Sequence, residues 1–238
     1  MPILNRRKHH TKPISFEFKK PTRIDLVGSY LLHSNIKSRC NIDIAMQIPD
    51  SCFVPKDIMD YRYHDTRRLY LSVIASELSK EPTFSEVMVR GWREGNDDNK
   101  PILVFKLQPK AKNISSRAKK FSIRVYPVIS KNVFELVKLN PLKGNLRMHR
   151  ENPLIAGETV EEAKVELTRK ATPRYNCSIL EDMDMRDHLQ SLHQMATTCK
   201  GFIGACQLLK VWLHRRQMLN MPDTFNGFLI SMLTYDLL

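Results

Sequence analysis

One stretch of this 238-residue chain has no acid at all: between Asp98 and Glu135 there is neither aspartate nor glutamate. Cysteine is also scarce. The five present (Cys40, Cys52, Cys177, Cys199 and Cys206) are odd in number and widely spaced, with no Cys-x-x-Cys. That excludes a disulfide framework and a zinc site from consideration and makes a reducing compartment the default. Histidines do not restore a metal site, since His188 and His193 are five apart and fall off a common helical face. No run approaches the roughly 18 uninterrupted apolar residues a membrane-spanning helix needs, so no membrane partner is expected. The opening MPILNRRKHH has no apolar core and no small-residue cleavage site, and so does not read as a signal peptide. Its Arg6, Arg7 and Lys8 fit a solvated basic tail or a short nuclear-targeting patch. There is no internal repeat and no low-complexity tract.

What is present is positive charge, unevenly placed. Residues 1–150 hold 29 Lys+Arg against 14 Asp+Glu, a net of +15, whereas residues 151–238 hold 9 against 11, a net of −2. The acid-free stretch carries Lys110, Lys112, Arg117, Lys119 and Lys120 within one loop-like segment, QPKAKNISSRAKK. A one-sign stretch repels itself and becomes favourable when phosphates neutralise it and release counterions. RNA or another polyanion is the partner this predicts, against the plainer reading of a solvated basic loop.

Periodicity divides the chain into a disordered basic tail at 1–13, a mixed α/β region at 14–150 and a helical region at 151–238. Strands are expected at Ile14–Phe18, Arg23–Val27 turning at Gly28, Asn41–Met46, Val87–Trp92, Ile102–Leu107 and Phe121–Tyr126, the last ended by Pro127. A helix is expected over Lys56–Lys80, with Tyr63, Tyr70, Ile74 and Leu78 on one face, Leu71 beside them, and Arg62, Arg67 and Arg68 at polar positions. Residues 140–178 read as irregular around a short acidic helix near Thr159–Lys170. Helical stripes follow at Leu189–Leu192–Ala196–Cys199 and Phe202–Cys206–Leu209–Leu213. The last apolar segment, Phe225 to Leu238, is expected to continue in a longer protein.

The arrangement that bears on chemistry is Gly28-Ser29, eleven residues, then Asn41-x-Asp43 on a strand. Glycine lets backbone approach a triphosphate, while a serine hydroxyl and neighbouring amides bind its oxygens. Carboxylates two apart on a strand point to one side and can share magnesium ions, with a third acid completing the clamp. The charge count fails here. Asn41 offers an oxygen but no negative charge, and the expected third strand, FSIRVYP, supplies Arg124 instead of an acid. Loss of metal stabilisation worth several kcal/mol lowers the rate by on the order of a thousandfold or more.

The segments VGSYLL (27–32), NIDIAM (41–46), YRYHDTRRLYLSVIA (61–75), ATPRYNCSIL (171–180), LLKVWLHRR (208–216) and FNGFLISML (225–233) together resemble the N-terminal part of the nucleolar RNA-associated protein family. The resemblance covers about residues 14–238. It implies an α+β fold: a degenerate nucleotidyltransferase-like mixed sheet with flanking helices, followed by a mostly helical second domain like that of poly(A) polymerases. It also implies an inactive member of the small-subunit processome, in the nucleolus, with ribosomal RNA precursor or small nucleolar RNA and other processome proteins as partners and no cofactor. On that resemblance Lys210 stands where active relatives place a lysine near the triphosphate; its other reading is an exposed helix lysine beside a buried Trp212. Tyr175 and Asn176 are expected to fix an interdomain turn. Gly28, Ser29, Asn41, Asp43, Arg124 and Lys210 thus form a vestigial nucleotide site with no catalytic residue. The alternative is an active template-independent nucleotidyltransferase with an atypical metal site; a third reading is a pseudoenzyme that still binds nucleotide.

Overall fold

Alternating and continuous apolar runs in the first part of the chain produce strands, the central ones buried on both faces. The computed structural model describes residues 16–36, 41–92, 97–108, 121–146, 170–220 and 224–238. Five strands form one mixed sheet: β1 (Arg23–Val27), β2 (Asn41–Gln47), β3 (Phe84–Trp92), β4 (Asp97–Leu107) and β5 (Ser122–Val128), in the order β1-β2-β5-β4-β3. Only β2 and β5 run parallel; the other neighbours are antiparallel. The basic tail, Cys40, residues 93–96 of the turn REGNDDNKP, the five loop cations Lys110, Lys112, Arg117, Lys119 and Lys120, and the acidic segment near Thr159 lie outside the described residues.

One sheet face carries Ile44, Met46, Leu103, Phe105, Ile123 and Val125, and packs on the helix α2 (Arg62–Leu78) through Tyr63, Tyr70 and Leu71. Leu71, Leu103 and Ile179 are fully buried there, each worth roughly 1.5–3 kcal/mol of burial. Three further helices follow: α3 (Pro173–Thr198), α4 (Phe202–Arg215) and α5 (Gly227–Leu237). The long α3 serves both faces. Tyr175, Ile179 and Met183 join the α2 core, the Ile129 N–H donates to the Asp182 carbonyl, and Met185 and Leu189 pack on the opposite face against Ala45, Val128 and Tyr126. Leu192 then enters a helical cluster with Leu32, Phe202 and Cys206.

Several expectations change. Phe16–Phe18 is not a strand. Pro127 does not end β5, which runs to Val128 at the centre of the sheet. The ladder to β4 stops at Val125, so the missing N–H of Pro127 interrupts no bond on that side. Residues 173–178 are helix rather than turn: Pro173 opens α3 at its first position, where a missing N–H costs nothing. Asn176 still ties the neighbouring chain, donating to the carbonyls of Asn140 and Lys143 and accepting from Asn145. In α5 the buried set is Ile230, Ser231 and Thr234, while Phe228, Leu229, Leu233 and Leu237 are exposed, so most large apolar side chains of this helix face outward. No helix among the described residues is long and apolar enough to cross a membrane.

Candidate functional site

The site lies on the sheet face opposite α2, where β1 turns into the single-turn helix α1 (Gly28–Leu31). Gly28 adopts φ +75°, the left-handed region that glycine enters without strain. It is needed for space as well: a Cβ at this position would sit 2.6 Å from the Asp43 carboxylate. Val27 pairs with Asp43 across the antiparallel ladder, and Asp43 pairs with Arg124 across the parallel one. That register brings Gly28, Asp43 and Arg124 into contact. Arg124 donates from Nε to Oδ1 at 2.6 Å and from Nη2 to Oδ2 at 2.9 Å, a bidentate fork that occupies both carboxylate oxygens. The guanidinium also lies over Tyr126, 5.9 Å from its ring centroid. Burial pushes the Tyr126 phenol well above its ordinary range, with the Asp43 charge adding to the shift.

The residues present do not fit a pair of divalent ions. Asn41 shares Asp43's side of β2 but brings no charge, and Asp43 is already neutralised by a fixed cation. Asp25, on the same face of β1, is held by Arg23 at 2.8 Å, with Arg186 of α3 3.8 Å away. Among the described residues no group of three or more His, Cys, Asp or Glu is placed to hold a metal.

Lys210 is not the exposed helix lysine of its second sequence reading. It is 4% exposed, and its ammonium donates to the Ser34 carbonyl and hydroxyl, each at 3.0 Å. Burial lowers its pKa. Lys210, not Leu209, completes the buried stripe of Phe202, Cys206 and Leu213. Trp212, expected to be buried, is 49% exposed and lies under the Arg216 guanidinium. Through Lys210, and through Gln207 donating to the His33 carbonyl, α4 grips the segment that follows Ser29. Ser29 and Asn41 are half-buried and make no side-chain hydrogen bond among the described residues.

The sequence reading missed a second polar cluster. Arg67, placed at a polar helix position, is fully buried and donates to Asp182 and to the Pro101 carbonyl. Asp182 also accepts from Tyr63 at 2.7 Å and lies 3.1 Å from Lys100. Burial raises the Asp182 carboxyl, but Arg67, Lys100 and Tyr63 outweigh it and hold the pKa below the ordinary value. The available signal was spacing: Arg67 falls on the helical face of Tyr63, Tyr70 and Leu71.

A family model described as "Nrap protein domain 1" matches residues 1–198. The chain belongs to the Nrap family. Within it, the chain is 37% identical over 219 residues to Nucleolar protein 6 of Xenopus laevis and 33% identical over 221 residues to Nucleolar protein 6 of Homo sapiens. Each alignment covers 92% of this chain and 18% of the relative, so the chain spans under a fifth of these Nrap relatives' length. Among solved structures, a chain titled "Structure of E. coli MS115-1 CdnC:HORMA-deltaN complex" aligns at a TM-score of 0.38 and 19% identity, covering 92% of this chain and 50% of that one. A likeness at that level supports nothing about the site.

Proposed function

We propose that the chain is a non-catalytic module that holds RNA and protein in ribosome assembly within the nucleolus, on a nucleotidyltransferase-like frame that has lost its metal site. The observation that carries this reading is the Asp43–Arg124 fork. A lone carboxylate with both oxygens committed to a guanidinium has no charge left for cations, and a fixed positive group beside it repels them. Lys210 is likewise committed to Ser34, so two groups that would meet a nucleotide in an active relative hold the protein together instead. The positive excess of +15 over residues 1–150 suits a phosphate backbone. The relatives named Nucleolar protein 6 support the compartment. The partners on this reading are ribosomal RNA precursor or small nucleolar RNA, and other small-subunit processome proteins.

The test is incorporation. The chain is incubated with labelled nucleoside triphosphate, magnesium or manganese, and an RNA primer, and no extended product is expected. Product that disappears in Asp43→Ala would instead establish an active nucleotidyltransferase with an atypical metal site.

A further inference from the structure

We infer that the outward sides of α4 and α5 are a docking surface for the part of an Nrap protein that lies outside this chain, which covers them with an apolar face of its own. In α5 burial runs opposite to what a surface helix needs. Its inner side holds Ile230, Ser231 and Thr234, whereas Leu229, Leu233 and Leu237 recur every four residues along the exposed side. A helix with only water beyond it buries its leucines and shows its hydroxyls. The inverted seating is nonetheless a satisfied one. Ser231 donates to the Gly227 carbonyl and Thr234 to the Ile230 carbonyl, so neither buried hydroxyl lacks a partner. Asn226 caps the same helix by accepting from the Leu229 N–H.

Neighbouring α4 repeats the arrangement. Phe202, Cys206, Lys210 and Leu213 face inward, while Leu208, Val211 and Trp212 stand exposed at three- and four-residue spacing on the other side. Scattered singly, such side chains are ordinary on a surface; set in rows along two packed helices, they mark an interaction site. Two facts identify the occupant. The domain 1 model stops at residue 198, so α4 and α5 lie past that domain, although the Nucleolar protein 6 alignments of 219 and 221 residues must reach into them. This chain also matches 18% of those relatives, which leaves more than four fifths of their length to supply a covering face. The charge of the surface adds a requirement. α4 contains no acid and runs into exposed His214, Arg215 and Arg216, so the occupant's apolar face carries acids at that rim.

The test compares the 238-residue chain with the full-length Nrap protein that contains it, each carrying Leu208→Cys or Leu237→Cys. Both positions stand in solvent here, at 71% and 82% exposure, so neither substitution disturbs folding. A maleimide is added and the modified peptides are followed by mass spectrometry, with the exposed Cys177 of the 238-residue chain as the reference thiol. In that chain both introduced thiols should react as fast as Cys177. In the full-length protein both should react at least about tenfold more slowly, and equally so at every protein concentration. Equal rates in the two proteins would overturn the inference. So would protection that is lost on dilution, or that is already present in the 238-residue chain, because either would put a second copy on this surface.

Discussion

Gly28 concentrates two constraints in one residue, a left-handed backbone and a carboxylate where a Cβ would be. Gly28→Ala must bear the left-handed strain of about 1–2 kcal/mol and displace Asp43 from its fork with Arg124. A loss of about 2–3 kcal/mol in denaturant unfolding is expected, and a loss below about 0.5 kcal/mol would mean that the glycine is not packed on Asp43. At this scale the sequence was legible where identity alone decides chemistry. Asn41 cannot be a carboxylate and Arg124 cannot be an acid, whatever the fold. It was not legible for Lys210, Arg67 and Trp212, because a long side chain's burial depends on what another element sets against it. Lys210 is buried because Ser34 offers two oxygens across the helical cluster, and nothing in LLKVW encodes Ser34.

Among the elements, α3 bears the largest departure from expectation and the clearest pH signature. Strands read well because a two-residue period survives any topology; β2 and β5 fall within two residues of where the pattern put them, whereas β4 starts at Asp97, five residues before the expected Ile102, in a stretch that reads as turn. The start of α3 was hidden because Thr172-Pro173-Arg174 reads as turn punctuation, and proline serves a helix's first position equally well. The Asp182 cluster then ties α3 to α2 and β4. Because its folded pKa is depressed, Asp182 contributes stability that is complete above its unfolded value near 4 and disappears as pH falls through the lower folded value. Asp182→Asn removes the charge that answers Arg67 and Lys100, and should cost about 3–5 kcal/mol at pH 7. In thermal melts the gap between the two proteins should stay level from pH 8 to 5 and narrow below about pH 4. A gap that instead widens on acidification would contradict the cluster.

Over the whole molecule, charge is divided unevenly and exposed apolar surface is not. The positive excess belongs to residues 1–150, while large apolar side chains stand exposed in both parts: Ile24, Val137 and Leu142 in the first, and Leu208, Trp212, Phe228 and Leu237 on α4 and α5. If the loop cations contact RNA, replacing Lys110, Lys112, Arg117, Lys119 and Lys120 with glutamine should reduce the slope of log affinity against log salt by on the order of 3 for a single strand. An unchanged slope would exclude that loop as the contact. The same balance of charge bears on the Asp43–Arg124 fork, where one negative group faces a fixed positive one. Calorimetric titration of manganese, with nucleoside triphosphate present, into the unmodified protein and into the Asn41→Asp, Arg124→Asp double variant tests this most directly. No saturable metal binding is expected of the former and a gain of binding of the latter. Saturable binding by the unmodified protein that vanishes in Asp43→Ala would show that Asp43 still holds a metal ion.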